Sequence, residues 1–128
     1  MASSAPNKSF IGRAAAILVD GSEVAGAAFD LNRAWGSQVT VDLSFTKGSL
    51  TNMIARFYVS MDGVTYDPLY DAAGAIEFVE TLTANGERAY VLPNLSGWKF
   101  FRVSAEGTGT ATGSSCEFVY RYLKRGSQ

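Results

Sequence analysis

The chain has 128 residues, 47% of them apolar and 18% charged, with a formal charge of −1. This describes one domain with enough apolar surface to fold, and without the basic field that holds a phosphate backbone, which argues against nucleic acid as a partner. Histidine is absent and Cys116 is the single cysteine, which removes most zinc sites, most neutral-pH acid–base catalysis and any intrachain disulfide.

Residues 1–12 read as an N-terminal arm or tail, too poor in apolar groups to order on their own fold. Within and beside it, Lys8, Phe10, Ile11 and Arg13 make a short anchor suited to a neighbouring subunit. The stretch lacks the pattern of a signal peptide, and the apolar run over 14–19 is too short to span a bilayer, so no membrane partner is expected. A single β domain is expected over 13–125, with 126–128 a tail.

Strands are predicted at 14–20 and 24–32, followed by a loop in which Trp35 beside Gly36 is an exposed aromatic. Over 37–45 the alternation is strict, with Val39, Val41, Leu43 and Phe45 on one face and Thr40, Asp42 and Ser44 on the other. Residues 53–61 also alternate, placing Phe57, Val59 and Met61 inward and Ile54, Arg56, Tyr58 and Ser60 on a partly polar outer side, as in a central strand. Asp62-Gly63 then supplies a tight turn.

Further strands follow at 66–70, 76–83, 88–92, 99–105 and 117–123. Trp98 precedes the aromatic strand and reads as packing between sheets. The small-residue tract over 108–115 has little to bury and is predicted to be a mobile loop or flexible hairpin joining the last two strands. No window of helical length keeps an apolar stripe free of glycine. Eight or nine short strands in one domain predict an all-β, antiparallel β-sandwich of jelly-roll type, with a closed barrel as the alternative. Val39, Val41, Leu43, Phe45, Phe57, Val59, Phe101 and Val103 form the expected core, and Cys116 is expected to be a small buried hydrophobe in a reducing compartment.

Without histidine, the paired carboxylates of glycosidases are the catalytic arrangement left to test. Asp62, Asp67, Asp71, Glu77 and Glu80 are the candidates, yet turn chemistry explains the first two and a polar strand face the last two. Asp67 and Asp71 have a spacing that calcium loops use, though it is not diagnostic. The glycine-rich tract has no following lysine and opens no helix, so it is not a phosphate cradle. No enzymatic activity, cofactor or metal is expected.

Charge is distributed unevenly. Lys8 and Arg13 near the start and Arg121, Lys124 and Arg125 near the end have no acids among them, while the rest has six basic against twelve acidic residues, a net −6. Two readings stand: solubility patterning, or basic ends that meet an acidic neighbour, including the body of the next copy. Trp35, Tyr66 and Tyr70 would serve either as contacts between subunits or as a stacking platform for a glycan.

The segment Ser60-Met61-Asp62-Gly63-Val64-Thr65-Tyr66 resembles the Ser-x-Asp-Gly hairpin of discoidin-like carbohydrate-binding modules. The wider run over 39–70, with Gly97-Trp98-Lys99-Phe100-Phe101-Arg102-Val103 and the glycine-threonine loop, resembles small structural proteins of tailed-bacteriophage particles. That resemblance implies an accessory virion protein, assembled in the host cytoplasm, that decorates or cements a capsid as part of a homo-oligomeric array contacting other virion proteins. A neck or tail component and a carbohydrate- or receptor-binding module are the alternatives. Lys8, Phe10, Ile11, Arg13, Trp35, Tyr66, Tyr70, Lys124 and Arg125 are the expected partner contacts.

Overall fold

The computed structural model describes residues 7–70, 79–92 and 95–124. It contains ten strands: β1 (Asn7–Ala16), β2 (Glu23–Ala25), β3 (Phe29–Asp30), β4 (Thr40–Thr46), β5 (Leu50–Ser60), β6 (Asp67–Pro68), β7 (Val79–Leu82), β8 (Gly86–Val91), β9 (Phe100–Gly109) and β10 (Ser115–Leu123). The one other regular structure among the described residues is a pair of single 3-10 turns, Leu31–Arg33 and Trp35–Ser37. No helix there is long and apolar enough to cross a membrane.

The first sheet runs β1-β10-β4-β8. In the second, β2 and β3 share one side of β9, β5 follows, and β6 and β7 share the far side of β5. All these pairings are antiparallel. Counting the split edges as single rows, each row is followed in the chain by a row of the opposite sheet, except that β5 is followed by its own neighbours β6 and β7, which is the jelly-roll order. The strands are longer than anticipated, with eleven residues in β5 and ten in β1 and β9.

The alternation in β4 and β5 works as a packing code. Val41, Leu43, Phe45, Met53, Ala55, Phe57 and Val59 are buried, and Phe101, Val103, Phe118 and Tyr120 meet them from β9 and β10. Each strand buries one face because successive side chains point to opposite sides of the pleat. All eight expected core residues are buried, as is Cys116, whose thiol is pushed up to about 12 by burial. Trp98 packs half-buried against the core.

Three expectations are corrected. Residues 7–12 are not an arm, because they belong to β1 and pair with β10. Phe10 there stacks on Tyr120 with centroids 5.8 Å apart and meets Phe29 edge-on at 5.3 Å, inside the chain's own core. Gly12 makes this approach possible, since a Cβ on it would lie 2.2 Å from the Tyr120 ring. Residues 1–6 and 125–128 lie outside the described residues.

Met61, expected inward, is exposed, because the strand ends at Ser60. The buried Ser60 hydroxyl accepts from the backbone N–H groups of Asp62 and Gly63 and starts the turn. The glycine-threonine tract, finally, is neither a hairpin nor loose. It crosses from one sheet to the other and is pinned there: Ser49 N–H donates to Thr112 O at 3.0 Å, and Leu18 N–H donates to the buried Ser114 hydroxyl at 3.1 Å. Gly48, at a φ of +58°, fits against it so closely that a Cβ would lie 2.5 Å from Gly113 backbone.

Candidate functional site

The two outer faces of the sandwich differ in how their side chains are satisfied. Directly opposed residues of an antiparallel pair share a face, so the rows of the first sheet follow from its register. Glu117, Ser44 and Glu87 form one row across β10, β4 and β8. Ile11, Val119, Asp42 and Ala89 form the next, and Ser9, Arg121, Thr40 and Val91 the one after. Leu123 lies two residues beyond Arg121 on the same face.

Large apolar groups stand in solvent here: Val91 is 78% exposed, Ile11 57%, Trp35 53% and Leu123 42%. Trp35 is carried by the double 3-10 turn. Its start is capped by the Asp30 carboxylate, which accepts from Asn32 N–H at 2.9 Å, and the buried Ala34 between the turns bridges to Lys124. The indole borders a depression of about 330 Å³ lined also by Gln38, Thr40, Arg121, Tyr122 and Leu123.

Charge of opposite sign gathers at the two ends of this sheet, the acids on its outer face and Lys8, opposite the buried Tyr122, on the core-facing side. At one end a depression of about 420 Å³ is lined by Asp42, Ser44, Glu87, Glu117 and Val119, with Arg88 entering from the edge. Arg121 neutralises Asp42 at 2.7 Å, whereas Glu87 and Glu117 have no ion-pair partner among the described residues. At the other end Lys8, Ser9, Arg33, Tyr122 and Lys124 line a depression of about 380 Å³.

Arg33 is held in place there. It donates to the Tyr122 hydroxyl at 3.0 Å and lies 5.3 to 5.6 Å from the centroids of Phe10, Phe29 and Tyr122. Cations favour the electron-rich faces of aromatic rings. Sequence reasoning missed Arg33, two of whose three aromatic partners, Phe10 and Tyr122, are far away in the chain.

The second sheet's outer face closes on itself. Arg56 of β5 reaches Glu106 of β9 at 2.7 Å and Glu23 of β2 at 3.3 Å. Burial works against the charge of Glu23, but hydrogen bonds from Ser104 and Tyr58 and the Arg56 charge outweigh it, leaving its pKa below the usual carboxylate range. Tyr58 is pushed up to about 12, first by burial and then by its bond to Glu23. Glu23 is therefore engaged as an anion.

Of the expected contact residues, the structure places Ile11 and Trp35 on or beside the first sheet's outer face, and Lys8 and Lys124 together around the depression that Arg33 and Tyr122 line. It removes Phe10 to the core and spends Arg13 internally, where the guanidinium donates to Cys116 O, Ala16 O and Ile17 O at a bulged part of β1. Tyr66 stands under the Arg102 guanidinium at 3.9 Å on the second sheet, so Trp35, Tyr66 and Tyr70 do not form one platform. Tyr70 is exposed after β6, and Arg125 lies outside the described residues.

The candidate acids are dispersed as well. Asp62 accepts from Val64 and Thr65 N–H, and these bonds, with one from Ser60, hold its carboxyl below the usual range. This turn accounts locally for the Ser-x-Asp-Gly segment. Asp67 is exposed, while Asp71 and Glu77 lie outside the described residues and Glu80 is placed by its backbone opposite Ala55.

No family model and no curated protein sequence matches the chain. Among solved structures, a chain from Bacillus endospore appendages, which form disulfide-linked pili, aligns with a TM-score of 0.48 at 10% identity over 97% of this chain and 92% of that one. The SPBc2 prophage-derived protein YomS aligns with a TM-score of 0.56 at 18% identity over 91% of this chain and 93% of that one, which shows a shared fold.

Proposed function

We propose that this protein is a non-enzymatic structural subunit of a tailed-phage particle, decorating or cementing its capsid, and that it works by association through the outer face of its first sheet. One observation carries the reading: Ile11, Val91 and Leu123 stand exposed on one sheet face that also carries charged side chains, with the exposed Trp35 beside it. Scattered apolar residues on a surface need no explanation, whereas a set grouped on one face of a sandwich and rimmed by polar groups is the pattern of a protein contact. The fold shared with a prophage-derived protein supports the same reading, as do the sequence features that resemble phage structural proteins.

The test uses particles from a phage deleted for this gene, incubated with the purified chain. A fixed number of copies per particle is expected, and Trp35→Ala or Val91→Asp should lower occupancy while the melting temperature of the free protein stays within a few degrees. Particles that take up none of the chain would refute the reading. A signal on a glycan array that disappears with Trp35→Ala would replace it with a binding module, which the depression beside Trp35, Gln38 and Thr40 makes the second hypothesis.

A further inference from the structure

We infer that the depression among Lys8, Arg33, Tyr122 and Lys124 is a binding site for a single phosphate group, a site that the assembly reading does not use. Three separate segments build it. The register sets Lys8 of β1 opposite Tyr122 of β10, and Lys124 follows two residues on in the same row, while the bridge from Ala34 to Lys124 brings the 3-10 turn and its Arg33 alongside. With Ser9 these residues line about 380 Å³ beside β1, the outermost strand of its sheet. Three cations and two hydroxyls face the depression, and no carboxylate does.

The cations are placed but not neutralised. Arg33 donates one N–H to the Tyr122 hydroxyl at 3.0 Å and lies against the rings of Phe10, Phe29 and Tyr122, which holds the guanidinium in position and leaves further N–H groups to give. The Tyr122 hydroxyl, having accepted from Arg33, keeps its own O–H for another acceptor. None of Lys8, Arg33 and Lys124 has an ion-pair partner among the described residues, and Asp30, the acid nearest Arg33 in the chain, is engaged in capping Asn32 N–H at 2.9 Å. Folding thus gathers three like charges whose mutual repulsion an anion relieves.

The charge selects the ligand. A single carboxylate would answer one of the three cations, whereas a phosphate monoester brings about two negative charges and three acceptor oxygens to the donors that converge here. A guanidinium also meets phosphate through two parallel N–H bonds. The site suits one group and not a phosphate backbone, because outside it the chain has eight basic against twelve acidic residues and so offers no cationic track. Both lysines are exposed, so binding is weak and falls with salt.

Inorganic phosphate and glucose 6-phosphate are the probes, since the group is free in one and carried by a larger molecule in the other. Amide NMR titration of the full chain at about pH 8, where phosphate monoesters have lost their second proton, tests both, with succinate as a dicarboxylate control at matched ionic strength. Saturable shifts centred on Lys8, Arg33 and Lys124 are expected, with a Kd on the order of a millimolar. Lys8→Gln with Lys124→Gln, changes at two exposed side chains whose fold a thermal melt checks, should weaken binding at least about tenfold. Tyr122→Phe, which keeps the ring under Arg33, should weaken it severalfold. Tighter binding of glucose 6-phosphate would identify a group carried on a larger molecule, and inorganic phosphate binding as well or better would identify the free ion. No saturation by about 50 mM of either probe, an affinity unchanged in the double lysine variant, or succinate binding as tightly as phosphate would each overturn the inference. None of these outcomes bears on uptake by particles, so the assembly reading stands or falls separately.

Discussion

On the second sheet's outer face, Arg56 bridges carboxylates from two other strands and Arg102 lies over Tyr66, whereas on the first sheet the corresponding rows leave Ile11, Val91 and Leu123 in solvent. Both faces come from the same two-residue periodicity. They differ in what fills the outward positions: charged and hydroxyl groups able to reach one another across strands on one, and exposed apolar groups beside the unpaired Glu87 and Glu117 on the other. A face whose polar groups are satisfied from within has little to offer a partner, while one with exposed apolar area and unpaired charges gains by being covered. The folded chain thus separates the side that finishes its own structure from the side available to neighbours.

Beneath both faces lies the shared core, where the largest effect is expected. Phe57, fully buried and edge-on to Tyr90, belongs to the strand that carries the Arg56 network on its reverse side. Phe57→Ala should cost roughly 3–5 kcal/mol in chemical denaturation through lost burial and a cavity. A loss below about 1 kcal/mol would mean that the inner face of β5 is not packed as described. Gly12→Ala should cost about 1–3 kcal/mol by driving a methyl group into Tyr120, an overpacking effect. The result sharpens the comparison, because it measures how firmly β1, with Ile11 on its outer side, is fixed to the first sheet.

The next effect singles out the second face. Arg56→Ala removes the cation shared by Glu23 and Glu106 and should cost about 1 kcal/mol at neutral pH, since these groups are partly solvated. The same network predicts a two-sided pH response. Glu23 is lowered in the folded state, so its contribution is present above its ordinary value of 4.5 and is lost as pH falls through the folded value. Tyr58 is raised to about 12, so its contribution is present below its ordinary 10.0 and is lost as pH rises from there towards 12. Cys116 and Tyr120 titrate upward too, which makes Tyr58→Phe the informative variant: it should shrink the alkaline loss of stability without abolishing it. An unchanged alkaline limb would detach Tyr58 from the network.

How much of this was legible depends on where alternation survives. In β4 and β5 it runs unbroken, so their inner residues and the turn at Asp62-Gly63 could be read directly. β1 concealed itself because its register shifts after Ile11 and again after Arg13, and the short β2, β3 and β6 contain too few residues to display a period. Phe10 and Arg13 were assigned to a contact anchor for that reason, and their true partners, Tyr120 and Cys116 O, are more than a hundred residues away. The glycine-threonine tract looked loose because its fastenings lie in other segments. Arg56 with Tyr58 and Ser104 with Glu106, polar pairs two apart on covered strands, were the available signal for the second face. Exposure of Trp35 was legible from Gly36 beside it. The acidic row of the first face required the register, because Glu87 and Glu117 become neighbours only through Ser44 between them.

The smallest stability effects test the contrast between the faces most directly. Val91 is largely in solvent and Ile54 is half-buried on the second sheet between Glu106 and Thr81, so equivalent changes to threonine should differ. Threonine keeps β-branching and therefore strand propensity, which leaves the loss of apolar contact as the main variable. Ile54→Thr removes packed methyl surface and should cost about 0.5–1 kcal/mol. Val91→Thr removes surface that already faces water and should stay within about 0.5 kcal/mol. Unfolding in denaturant at low protein concentration measures both on the free chain. Equal costs for the two variants under dilute conditions would show that the first face is already covered within the chain, and the division between a self-satisfied face and an offered one would fall.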